Sequence, residues 1–189
     1  MAAPLLGLAG YGRSGKDTFA DLLVENHGWH RLAFADRLKA VLYELDPILL
    51  HQYGRAPWRL SDEVNLYGWD VAKRAPEVRG QLQRLGLAVR QHVAGQAWVL
   101  PVMAEASDLR RQGVPTVITD VRFDNEVDAI RLAGGKVVLK RRPGCSPVNG
   151  HLSEQLAGRH GAFFDLTVEV ERLDELPAKA AEVDRRLRS

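Results

Sequence analysis

The sequence predicts an α/β fold with a five-stranded parallel sheet, a helical insertion and a second, smaller insertion. Three observations predict it. Five short apolar runs of strand type alternate with helix-periodic segments along 189 residues. The first run passes directly into a glycine-rich turn and then into a helix. Two stretches, 36–111 and 143–161, interrupt the alternation, and both would leave the sheet at the carboxyl edge where the glycine turn sits.

Each element follows from local residue chemistry. Leu5, Leu6, Leu8 and Ala9 form the first strand, and Gly10, Gly12 and Gly15 punctuate the turn after it. A helix over 16–26 carries Phe19, Leu22 and Leu23 at helical spacing, and Gly28 ends it. The second strand covers 29–35. A helix over 36–45 places Leu38, Val41, Leu42 and Leu45 on one face, with Asp36 suited to its N-cap. The stretch 47–69 is less regular and holds a short helix from about Asp62, capped by Ser61. Pro76 opens a helix to about Val93 with Val78, Leu82, Leu85 and Val89 facing a core. A helix over 98–111 tolerates Pro101 only near its first turn, and Gly113 closes it. The third strand, 114–119, is of the fully buried type and ends in Asp120-Val121-Arg122-Phe123-Asp124-Asn125-Glu126. A helix over 125–133, a strand over 136–140, a Pro/Gly-rich stretch with a short helix near 152–156, a strand over 163–170 and a last helix from near Pro177 complete the chain.

Composition bounds the function. Hydrophobic content of 46% supports a proper core in one domain. A net charge of +2 makes no strong field for nucleic acid, so no nucleic-acid partner is expected. The single cysteine, Cys145, excludes an internal disulfide and fits a reducing compartment. No apolar run approaches the ~18 residues needed to cross a bilayer, and the N-terminus lacks a signal-peptide pattern. The expectation is a cytoplasmic protein without a membrane partner, monomer or homodimer.

The chemistry concentrates in Gly10-Tyr11-Gly12-Arg13-Ser14-Gly15-Lys16-Asp17-Thr18. Strand, glycine loop, lysine and helix make a phosphate-binding loop: the glycines bring backbone N–H groups onto phosphate oxygens, and the helix start adds unpaired N–H groups and a positive dipole end. Lys16 can reach the β/γ phosphates of a nucleotide. The spacing Gly10-x4-Gly15-Lys16 fits the loop pattern, but Asp17 stands where Ser or Thr would bind magnesium. A carboxylate there can ligate or water-bridge Mg²⁺, which prefers oxygen donors, and Thr18 would then be placed for an α-phosphate contact. Asp120, at the end of a buried strand, needs a partner such as a metal or Arg122. Lys16, Arg13, Lys39, Arg90, Arg122, Arg141, Arg142 and Arg159 offer cations for joining two anionic substrates.

GYGRSGKDT, FADRLK (34–39), TDVRFDNE (119–126) and HLSE (151–154) together resemble the phage-type deoxynucleoside monophosphate kinases, members of the P-loop nucleoside monophosphate kinase group. The resemblance implies a five-stranded P-loop kinase with core 1–35, 112–142 and 162–189, an acceptor-binding arm at 36–111 and a lid at 143–161. It implies phosphorylation of a deoxynucleoside monophosphate by ATP with Mg²⁺, in host cytoplasm if the chain is phage-encoded. It implies that Gly10, Gly12, Arg13, Ser14, Gly15, Lys16, Asp17, Thr18 and Arg159 bind ATP, that Asp17 and Asp120 serve the metal, and that Lys16, Arg13, Asp120 and Arg122 are catalytic. Asp36, Lys39, Arg90, Arg122, Glu126, His151, Ser153 and Glu154 would hold the acceptor. LQRLGLAVR (82–90) looks like the acceptor-arm helix but carries Leu87 where a hydroxyl residue is expected. An acceptor phosphate is largely ionised at pH 7, so no general base is required. The alternatives are another small-molecule P-loop kinase, such as a dephospho-coenzyme A kinase, in which Asp36 would be the base for a hydroxyl acceptor, or a phosphomevalonate kinase. A guanine-binding switch would carry an Asn-Lys-x-Asp motif, and the sequence has none.

Overall fold

A computed structural model describes residues 2–50, 58–146, 155–159 and 163–188. The chain divides into two compact units, one formed by 1–34 with 99–189 and the other by 35–98.

The first unit is built on strands β1 (Leu5–Ala9), β2 (His30–Leu32), β5 (Thr116–Val121), β6 (Lys136–Arg141) and β7 (Leu166–Glu169), all parallel in the order β2-β5-β1-β6-β7. Helix α1 (Lys16–His27) and the terminal α8 (Leu176–Arg188) share one apolar cluster with Leu6, Leu8, Val117, Val138 and Val168 of the sheet. Helices α6 (Val99–Arg111) and α7 (Asp124–Leu132) share the other cluster with Leu5, Ala9, Ile118, Val137 and Leu139. The period-2 alternation of β1 thus feeds two cores, as a sheet covered on both faces requires. Gly7 lies between Leu6 and Leu8 on the α7 side. A Cβ there would stand 2.6 Å from Ile130 Cδ1 and 2.9 Å from Val121 Cγ2, so those side chains would have to shift to admit one.

Register breaks near the carboxyl end of β5. Gly7 pairs with Ile118, but Ala9 pairs with Val121, so β5 carries one extra residue in a β-bulge. Alternation is reset across it: Ile118 and Val121 share one core, while Asp120 stays half-buried. Bulges next to active sites re-aim side chains in this way.

The second unit holds α2, which starts at Phe34 and runs to Leu45, the hairpin β3 (Ile48–Leu49) and β4 (Trp58–Arg59), α3 (Leu60–Tyr67), α4 (Trp69–Ala72) and α5 (Pro76–His92). Leu42, Leu49, Leu60 and Val78 make its core, with Trp58, Trp69, Leu82 and Leu85 around them. Glu77 accepts the Leu50 N–H, at 3.2 and 3.1 Å from its two oxygens, and Trp98 Nε1 donates to the Gly86 carbonyl at 3.1 Å.

Several element boundaries differ from expectation. Helix α2 begins two residues before Asp36, so Asp36 lies in its first turn and is not its N-cap. Asp62 caps α3 in place of Ser61: its carboxylate accepts the Arg59 N–H at 3.0 Å. The helix over 99–111, grouped by sequence with the acceptor arm, packs Val99, Val102 and Ala106 in the core of the sheet unit. Residues 152–154 of the short helix expected near 152–156 lie outside the described residues, and Leu156 opens a 3₁₀ turn, Leu156–Gly158. No helix among the described residues is long and apolar enough to cross a membrane.

Candidate active site

β1 lies between β5 and β6, and the loop it feeds sits at their carboxyl edge. Three residues of that loop take left-handed or otherwise positive φ: Gly10 (151°), Arg13 (64°) and Gly15 (85°). Gly15 is the N-cap of α1, so the loop turns into the helix without a side-chain cap, and the amides of the first turn face outward as donors. At Gly10 a Cβ would meet the Lys140 carbonyl oxygen at 2.4 Å. The positive φ at Arg13 is uncommon for a residue with a side chain and marks a constrained loop.

Lys16 is 9% exposed, and its Nζ donates to the carbonyls of Gly10 and Tyr11, each at 2.8 Å. The ammonium therefore ties the two ends of the loop together and holds its charge inside the cradle. Ser14 N donates to the Tyr11 carbonyl at 3.3 Å, and Cys145 Sγ lies 3.6 Å from the Arg13 carbonyl. Ser14 is 2% exposed, and its Oγ has no hydrogen-bond partner among the described residues. A buried hydroxyl without a partner costs about 1–3 kcal/mol, which a ligand oxygen would recover.

The neighbouring strand supplies the carboxylate. Asp120 Oδ1 accepts the Phe34 N–H at 2.8 Å, which fixes the side chain at the bulge. Arg122 follows the strand and is half-buried; its N–H donates to Glu126 Oε2 at 2.7 Å, and the Phe123 N–H donates to the same oxygen at 3.1 Å. Glu126 is 1% exposed. Its carboxylate caps the start of α7 and so shapes the backbone that carries Arg122.

These features place an amide-lined loop, with a buried lysine and a buried hydroxyl, at the carboxyl edge of a parallel sheet, and comparison with a known protein decides the family. A protein of Acanthamoeba polyphaga mimivirus, whose name, itself provisional, is deoxynucleotide monophosphate kinase, is 30% identical over 172 residues, covering 79% of this chain and 80% of that protein. The chain belongs to the deoxynucleotide monophosphate kinase family. It is a phosphotransferase, a nucleoside monophosphate kinase. No protein-family model matches it. Its fold is that of the P-loop kinases. The structure of dephospho-CoA kinase from Campylobacter jejuni superposes with a TM-score of 0.57 at 11% identity over 96% of each chain. A protein from Chloroflexus aurantiacus, described only provisionally as a kinase, superposes with a TM-score of 0.50 at 14% identity, over 100% of this chain and 98% of that one. At these identities both likenesses speak for the fold alone.

In this family member the remaining expected site residues fall as follows. Gly12, Asp17 and Thr18 belong to the loop and the first turn of α1; the Asp17 side chain is 76% exposed and lies 3.9 Å from Arg31 Nη2. Asp36 and Lys39 pair with each other on α2, Oδ1 to Nζ, at 2.7 Å. Arg90, near the end of α5, donates to the Gly95 carbonyl at 3.4 Å. Arg159 pairs with Asp124 at 2.8 Å and lies over the Phe163 ring, 4.8 Å from its centroid. His151, Ser153 and Glu154 lie outside the described residues.

Magnesium is the metal this fold implies. It takes oxygen donors, keeps several waters and is held by one or two carboxylates beside substrate phosphates. Asp120, fixed at the end of β5, and the exposed Asp17, in the first turn after the loop, are oxygen donors of the kind it takes.

Sequence reasoning passed over Lys140. It reads as the polar end of an ordinary strand, yet it is 2% exposed and lines a cleft of about 280 Å³ beside Tyr11 and Ser14. The available signal was a lysine inside a buried-type strand adjacent to the one that feeds the loop.

Proposed function

We propose that the chain transfers the γ-phosphoryl group of ATP to a deoxynucleoside monophosphate, giving ADP and the deoxynucleoside diphosphate. The observation that carries this reading is the loop itself: Lys16 held across the carbonyls of Gly10 and Tyr11, at the start of a helix, beside a buried Ser14 hydroxyl without a partner.

The chemistry is positioning and charge neutralisation, because phosphoryl transfer passes through a loose transition state with charge spread over the equatorial oxygens. Backbone amides of 10–16 and the Lys16 ammonium take the donor phosphates. Arg122, set by Glu126, grips the acceptor phosphate with a planar fork suited to two oxygens. Asp17 and Asp120 would hold Mg²⁺, which would supply neutralisation of the phosphate charge when bound. Asp36, Lys39 and Arg90 belong to the acceptor arm, and Arg159 is the lid cation that reaches the donor. Asp36, paired with Lys39, orients the acceptor and abstracts no proton, since an ionised phosphate needs no base.

A coupled ADP-release screen across the common deoxy- and ribonucleoside monophosphates, with dephospho-coenzyme A included, tests this reading. We expect turnover with at least one deoxynucleoside monophosphate and none with dephospho-coenzyme A. Turnover with dephospho-coenzyme A alone would replace it with a hydroxyl-acceptor kinase.

A further inference from the structure

Lys140 is the next-to-last residue of β6, the strand beside β1. Its ammonium is buried, and among the described residues it has one hydrogen-bond acceptor, the Arg141 carbonyl at 2.7 Å, with no carboxylate in ion-pair range. An ammonium removed from water costs several kcal/mol unless a counter-charge is close. Burial, followed by the charge of Arg142, pushes this amine down from its ordinary value, offset in part by Cys145 and Glu169.

Ser14 presents the same problem in the same cleft. Its Oγ is buried without a partner among the described residues, and Ser14 is one of the residues lining the same cleft of about 280 Å³, which Tyr11, Arg141, Arg142 and Glu169 also border. A buried cation short of a counter-charge and a buried hydroxyl short of a partner ask for one thing, a compact anion with several oxygens.

We propose that this cleft is an anion subsite in which Lys140 Nζ and Ser14 Oγ bind a phosphoryl group. Its choice of phosphoryl over other oxyanions rests on the phosphotransfer reading above; its geometry does not. That group can come from the donor nucleotide's own phosphates or from a separate phosphate anion, and both sources present the same oxygens.

The experiment uses the full chain with inorganic phosphate and ATP as probes. Lys16→Met silences the loop lysine, and Lys140→Met removes the buried charge at nearly constant length. We expect phosphate to raise the melting temperature of Lys16→Met, and this rise to vanish in the Lys16→Met/Lys140→Met double variant. Lys140→Met alone should bind phosphate about tenfold more weakly, or worse, and should melt no lower than the wild type without ligand, since it removes an uncompensated charge. Loss of ATP affinity in Lys140→Met assigns the subsite to the donor. Unchanged ATP affinity, with phosphate and ATP bound together in the wild type, assigns it to a separate anion. If Lys140→Met does not fold, Ser14→Ala in the Lys16→Met background carries the same test. A phosphate response independent of both Lys140 and Ser14, or no response in Lys16→Met, overturns the proposal. Turnover with a monophosphate acceptor reports the kinase reading separately.

Discussion

Lys16 and Asp36 show what single residues can and cannot announce. Lys16 follows Gly15 in a spacing that already implies a phosphate cradle, and it is found bridging the loop carbonyls. Asp36 sits at a position that reads equally as helix cap, acceptor ligand or general base. It lies in the first turn of α2 and pairs with Lys39 at 2.7 Å. A general base contributes about 10²–10⁴-fold to rate. We expect Asp36→Asn to retain turnover within about tenfold, well short of that figure, as steady-state kinetics with saturating acceptor would show. A drop of the full general-base size would point to a hydroxyl acceptor. Ser14 was legible as a loop residue, but its burial without a partner was not, because the sequence does not reveal how closely β6 approaches the loop.

At the scale of elements, β1, the loop and β6 form one packed unit. Gly10 has φ 151°, and a Cβ would meet the Lys140 carbonyl at 2.4 Å, a backbone atom that cannot rotate away. Gly15 has φ 85° and open space around its Cβ position. Two alanine substitutions in the same loop should therefore differ. Gly10→Ala combines overpacking with strain and should cost about 2–4 kcal/mol of unfolding free energy. Gly15→Ala carries backbone strain only, about 1–2 kcal/mol. Denaturant unfolding of both variants checks the order. The glycines were readable as a phosphate loop, and the different reason for each was not. The bulge in β5 was also hidden: the third strand reads as 114–119, ending before Asp120, and only the register against β1 shows the extra residue. The hairpin of β3 and β4 was missed because two residues per strand are too few to show a period.

For the whole molecule, the sequence told which helix faces are apolar but not what covers them. The apolar positions Val99, Val102 and Ala106 would suit an arm or a sheet equally; they pack on the sheet, and the second unit ends at Trp98. A distant tie closes the opposite face of the sheet. Asp184 of α8 accepts from Trp29 Nε1 at 2.6 Å and from Arg188 Nε at 2.7 Å, with His27 Nδ1 at 3.6 Å, and Arg188 Nη2 reaches the His27 carbonyl at 2.8 Å. Burial pushes the Asp184 carboxyl up, but the hydrogen bonds from Arg188 and Trp29, with the charges of Arg188 and His27, outweigh it and leave the carboxyl below its ordinary value. A carboxylate held down in the folded state adds stability above its unfolded value, and this is lost as pH falls through the folded value. Asp184→Asn should therefore lower stability by about 2 kcal/mol at neutral pH, and the gap should close below about pH 4. Unfolding curves over a pH series check this, and an equal gap at both ends would remove Asp184 from the acid response.

Single-turnover transfer from ATP to an accepted deoxynucleoside monophosphate, compared between the wild-type chain and Lys16→Ala, asks whether the phosphoryl group moves at this loop. We expect the wild type to form the diphosphate and Lys16→Ala to be slower by about 10³-fold or more, with its fold intact by circular dichroism. Equal rates in the two proteins would place the reaction elsewhere.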